Sequence, residues 1–200
     1  METIPKYTVF HRILHWLMAL AMPILFLTGF LRMFWMNKLL IVSTIREKTN
    51  SVLTDAQMSE IAKAIREPMW QWHVVVAHIV IFSLVARLIY MWVKGIRFPN
   101  PFEKKLSAKE RMQGIVYIGF YAFVFVSATT GIILKQGFFP QLHEQVESLH
   151  KLGLFWFPFF VIVHFGGIIL AEVADKKVVV SKMIGGDNEL LVAKTKKKLK

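Results

Sequence analysis

The stretch HKLGLFWFPFFVIVHFGGIILA, residues 150–171, decides the fold. From Leu152 to Ala171 it carries no Asp, Glu, Lys or Arg. About 20 such residues in a row match the length that an α-helix needs to cross roughly 30 Å of hydrocarbon. It nevertheless holds His164, and His150 stands just before it. A helix in lipid keeps an ionisable side chain where the side chain serves a purpose. The two histidines are fourteen residues apart, nearly four whole turns, so both face one side about 21 Å apart along the axis.

Working outward, 13–35 and 112–134 are two more apolar stretches of spanning length, and 72–93 is a fourth, interrupted by His73, His78 and Arg87. A hydrophobic fraction of 55% and a mean hydropathy of +0.48 exceed what a soluble chain carries, so the bilayer is the expected solvent. The first stretch lacks a small-residue cleavage site and is too long for a secretory segment, so it is read as retained. The expected fold is an all-α membrane protein, an up-and-down bundle of four transmembrane helices at about 13–35, 70–94, 111–134 and 150–172. In the loop after the first helix, Thr54-Asp-Ala-Gln57 forms a capping-box pattern, followed by Met58, Ile61, Ala62 and Ile65 on one face before Pro68. That predicts a short amphipathic helix on the outer surface, packed over the helix ends beneath it.

Charge orients the bundle. The net charge is +12, and the basic residues cluster by loop instead of forming the stripe that nucleic acid requires, so no nucleic-acid partner is expected. Loop 94–111 holds Lys94, Arg97, Lys104, Lys105, Lys109 and Arg111 against Glu103 and Glu110, and the last seven residues hold five lysines. Loop 36–69 is nearly balanced, and 136–150 has no Lys or Arg. The positive-inside rule therefore places both termini and the middle loop in the cytoplasm; a bacterial inner membrane is the expected setting of this multi-pass chain. Residues 1–186 are read as the membrane domain, and 187–200 as a lysine-rich cytoplasmic tail facing lipid and solvent, expected to be partly disordered.

Given that orientation, the histidines sort by depth. His15 lies at the cytoplasmic end of the first helix and His73 at the outer end of the second. This pairs His15 with His164 for an inner site and His73 with His150 for an outer one. Two facing neutral imidazoles suit the axial positions of a low-spin haem iron, closing both and favouring electron transfer. The chain has no cysteine, which excludes iron–sulfur clusters and covalent c-type haem within it. Gly29 follows His15 by fourteen residues, and Thr130-Gly131 and Gly166-Gly167 offer similar clearance for a flat macrocycle. Arg87 follows His73 by the same interval, which puts a guanidinium where a haem propionate would lie, and Arg32 could serve the outer site. His11 precedes the membrane, His143 is in the outer loop, and His78 is about 140° around its helix from His73. His78 is the alternative ligand if the register is shifted.

The set His11-Arg-Ile-Leu-His15-Trp16-Leu with Thr28-Gly29 downstream, His73 with Arg87, and His150 followed by His164 resembles the membrane dihaem cytochrome b family. That family includes the gamma subunit of respiratory formate dehydrogenase, the cytochrome b subunit of nickel–iron hydrogenase and small stand-alone bacterial dihaem cytochromes b. The resemblance covers about Val9 to Gly186. It implies two haems b, with His15 and His164 as the inner pair, His73 and His150 as the outer pair, and quinone as substrate. In the formate dehydrogenase type, quinone binds on the cytoplasmic side near the start of the third helix, where Gln113 matches a polar position and Glu110 stands in place of an asparagine. The fifth span usual in the hydrogenase type is absent, which favours the four-helix relatives.

The function expected is that of a cytochrome b subunit of a quinone-linked oxidoreductase. It passes electrons between a periplasmic dehydrogenase or cytochrome and the quinone pool, in either direction, with haem and quinone supplying the redox chemistry. No residue set for oxidising a substrate is visible, and the sequence leaves room for an oligomer. Two alternatives stand beside it. One is a self-contained dihaem enzyme that oxidises superoxide or another small donor and reduces quinone. The balanced charge of loop 36–69 gives such an anion no strong steering field. The other is a haem-free, histidine-lined metal or proton transporter, for which the spans lack pathway carboxylates.

Overall fold

Helix α1, Val9–Phe30, begins where the Thr8 hydroxyl accepts from the His11 amide, the usual device for a helix start. The computed structural model describes residues 8–49, 52–96, 100–103, 105–173 and 179–186. Arg97, Lys104 and the lysines of the tail, on which part of the charge argument rests, lie outside the described residues. Beyond α1 a single widened π turn, Leu31–Trp35, carries Arg32 and is closed by the Met36 amide on the Leu31 carbonyl at 2.6 Å. Then come α2 (Lys38–Thr49), α3 (Asp55–Val93), α4 (Ala108–Gln136), a 3₁₀ turn (Pro140–Leu142), α5 (His143–Lys151), α6 (Gly153–Val173) and α7 (Val179–Gly185). There is no strand among the described residues, and four stretches are long and apolar enough to cross a membrane: Val9–Trp35, Asp55–Val93, Ala108–Gln136 and Pro140–Val173.

The amphipathic stretch after Thr54 is helical, and both halves of its capping box form. It does not stop at Pro68 to lie separately on the surface; it runs unbroken into the second span. Proline only biases a helix toward ending, and α1 and α6 also contain one, at Pro23 and Pro158. At 1.5 Å per residue, the 39 residues of α3 extend about 58 Å, nearly twice the hydrocarbon thickness. Its first turns therefore project as a continuous rod. Helix α2, which the sequence reading did not anticipate, packs back against α3, with an ion pair between Arg46 and Asp55. Of the face expected to be covered, Met58 and Ala62 are buried while Ile61 and Ile65 stay exposed.

The fourth span also differs in detail from expectation. His150 lies in the last turn of a separate helix, α5, and Leu152 breaks the path before α6 begins at Gly153. The same-face argument for His150 and His164 assumed one continuous helix. The break falls where Gly153 meets α4, since a Cβ there would stand 3.3 Å from the Phe123 ring.

The core is lopsided. Met18, Ala21 and Met22 of α1 pack with Val76, Val80 and Leu84 of α3 and Val124 of α4. Among the described residues none of α6 is fully buried, and its packing is aromatic: Trp156 stacks on Phe123 of α4 at 3.7 Å, and Phe160 follows at 5.0 Å. At the end of the bundle that holds His15, the Thr8 and Tyr90 hydroxyls bond at 2.5 Å, tying the start of α1 to the end of α3. The many exposed apolar side chains on all four spans suit contact with lipid tails.

Candidate functional site

The bundle brings four half-buried histidines together in two pairs. His15 of α1 faces His164 of α6 with ring centres 6.2 Å apart, and His73 of α3 faces His150 of α5 at 6.3 Å. Two nitrogens each about 2 Å from one metal, with each nitrogen about 1.1 Å from its own ring centre, would separate the ring centres by about 6 Å. Both pairs have the spacing of imidazoles that share a single iron. Among the described residues, no group of three or more His, Cys, Asp or Glu is placed to hold a bare metal ion. A two-imidazole set suits a metal whose other positions are filled by a macrocycle.

Hydrogen bonds at the His73–His150 pair decide which ring nitrogen is free. The Thr28 hydroxyl, 2.8 Å from the Ile24 carbonyl, spends its proton on its own helix, and its oxygen lies 2.7 Å from His73 Nδ1. That oxygen therefore accepts from a protonated Nδ1. His150 is fixed likewise, with Nδ1 at 3.0 Å from the Thr130 hydroxyl and 3.1 Å from the Ser127 carbonyl. A carbonyl can only accept, so the proton is on Nδ1 and Nε2 keeps its lone pair for a metal. Gly131 admits the ring, since a Cβ there would stand 3.2 Å from His150 Cε1. The clearance at this glycine serves the imidazole. At Gly29 a Cβ would make only ordinary contact with Leu154, and at Gly166 and Gly167 it would meet nothing.

Ring stacking adds a second restraint that the sequence reading missed. Trp70 lies parallel to His73 at 5.4 Å, and the Arg32 guanidinium sits 4.5 Å above the Trp70 ring. At the His15–His164 pair Phe160 stacks on His164 at 5.4 Å. Only the intervals 70/73 and 160/164 hint at these contacts, and an aromatic at helical spacing is usually packing.

Arg87 is buried, 8% exposed, and among the described residues its Nε has no hydrogen-bond partner. Its guanidinium lies 5.9 Å from the Tyr121 ring, within electrostatic reach of His15 and His164. A buried guanidinium without a carboxylate is costly unless an anion completes it. A cation without a carboxylate partner among the described residues, near His15 and His164, therefore fits a group that brings its own carboxylates, as haem does. His78 is exposed, and its Nδ1 bonds the Val74 carbonyl of its own helix, so it joins neither pair. Gln113 is exposed on the first turns of α4 and donates to the Tyr117 hydroxyl at 3.3 Å, while Glu110 closes the capping box with Ser107.

The family model described as prokaryotic cytochrome b561 matches residues 6–186. Neither the curated proteins nor the solved structures include a match. With four membrane-length helices and a match over most of its length, the chain belongs to the prokaryotic cytochrome b561 family, whose members are membrane b-type cytochromes that bind haem b and take part in transmembrane electron transfer.

Proposed function

We propose that this cytochrome holds two haems b, one between His15 and His164 and one between His73 and His150, and carries electrons between an outer redox partner and the quinone pool. The observation that carries this reading is the near-equal ring separation, 6.2 and 6.3 Å, in two pairs built from different helices. When bound, haem supplies a one-electron carrier whose potential the protein tunes. The chain's own residues do the rest. The paired imidazoles would hold the haem iron, and Thr28, Thr130 and the Ser127 carbonyl hold the Nδ1 protons of the outer pair. Arg87 offers a propionate partner at the inner level and Arg32 one at the outer level.

The chain sits in a bacterial inner membrane with both termini cytoplasmic. The α2–α3 rod beyond the outer pair is where a periplasmic dehydrogenase or cytochrome docks. Quinone is reduced near the inner pair, with Gln113 and Tyr117 as polar groups at the start of α4. Protons taken from the cytoplasmic side for that step make the transfer electrogenic. Reconstituted vesicles test the route. A menaquinol or ubiquinol added to the membrane should reduce the inner haem first. His164→Ala should abolish that reduction, and His73→Ala should leave it intact. Quinol reduction that survives in His164→Ala and fails in His73→Ala would place the quinone at the other end.

A further inference from the structure

Helix α7 is held at both ends by the two helices that carry the inner histidine pair. At its start, the Val180 amide donates to Glu172 Oε1 of α6 at 2.8 Å. At its end, the Ile184 carbonyl accepts from Arg12 Nη1 of α1 at 2.8 Å, and the Met183 carbonyl accepts from Trp16 Nε1 at 3.3 Å. These are the groups that a short helix leaves without internal partners. Each anchor is close in sequence to a histidine: Arg12 and Trp16 flank His15 on α1, and Glu172 is two turns past His164 on α6. Gly186 closes the arrangement with φ +88°, and a Cβ there would stand 2.9 Å from Arg12 Nη1. The backbone at this position favours glycine, and a Cβ would push the Arg12 guanidinium away from its place.

We infer that α7 is a clamp bridging α1 and α6, with Arg12, Trp16 and Glu172 as positioning residues that hold His15 and His164 at iron-bridging distance. The inference rests on the reading of that pair as haem ligands. The outer pair, on α3 and α5, lacks such a strap among the described residues and is fixed by threonines. Loss of the clamp should therefore loosen one haem of the two.

The test has two arms on the full chain in detergent. The first needs no haem. Because the chain has no cysteine, Ile13→Cys and Ile184→Cys, which line one groove between α1 and α7, can be joined by a short bismaleimide. That pair should crosslink much faster than a control of Leu27→Cys with Ile184→Cys, and equal rates would overturn the clamp. The second arm reads the haems in Arg12→Ala, Glu172→Ala and Gly186→Ala. The haem-to-protein ratio should fall from two toward one, or one haem alone should gain carbon monoxide binding through an opened axial position. Arg12→Lys, which keeps a donor for the Ile184 carbonyl, should restore the unmodified behaviour. Both haems changed alike, or neither changed, would overturn the positioning role. If the unmodified chain holds no haem at His15 and His164, the functional reading falls first and takes this inference with it. If it does hold haem and the crosslink forms, unchanged spectra in the variants sink the inference alone.

Discussion

A threonine hydroxyl that already donates to its own helix can only accept from an imidazole, and this is how a chain of mostly apolar residues sets a tautomer. For His73, the Thr28 oxygen is the Nδ1 partner, whereas His150 has both Thr130 and the Ser127 carbonyl. The two threonines should therefore differ in weight. Thr28→Val, which keeps the shape and removes the acceptor, should weaken haem retention at the outer site by about tenfold or more. Thr130→Val should cost less, because Ser127 still holds the proton. Transfer of haem to an excess of apomyoglobin, followed by the loss of absorbance, measures both, and equal effects would contradict the assignment. At this scale the sequence disclosed the four histidines, because an imidazole in an apolar span is conspicuous and the fourteen-residue interval repeats. It did not disclose the anchors. Thr28 and Thr130 stand out in the sequence only beside their glycines, and Trp70 not at all, until the helices are set side by side.

Elements were legible where hydrophobic length decides them and illegible where packing does. The capping box at Thr54 and the apolar run to Val93 are each visible in the sequence, but that they form one 39-residue helix depends on Pro68 being carried through. Helix α2 has little apolar periodicity, and it reads as a helix only beside the rod it packs on. The break between α5 and α6 is likewise a tertiary effect, at the point where Gly153 lets Phe123 approach. Gly153→Val should force that contact apart and destabilise the bundle by about 1–3 kcal/mol. The loss would appear as a lower unfolding midpoint in detergent, with Gly167→Ala, where a Cβ would meet nothing, as the neutral control. A Gly153→Val midpoint equal to that of the control would show that the close approach carries no weight.

At the scale of the whole molecule, the four-helix architecture follows from chain length, apolar content and the spacing of spans. Its orientation rests on loop charge alone. Cysteine labelling can check that orientation directly in a chain that has none of its own. With an impermeant maleimide on intact cells, Lys48→Cys on α2 should be labelled, and Lys105→Cys in the middle loop should react only after the membrane is opened. The inverse pattern would turn the protein over and exchange the inner and outer pairs. The central claim, that two pairs of imidazoles each hold one haem b, is tested most directly by pyridine haemochrome quantification and a reduced-minus-oxidised spectrum. These should be run on purified protein and on His15→Ala, His73→Ala, His150→Ala and His164→Ala. The account expects two b-type haems per chain and mutants that group as His15 with His164 and His73 with His150. A single haem, or mutants that group in any other way, would contradict it.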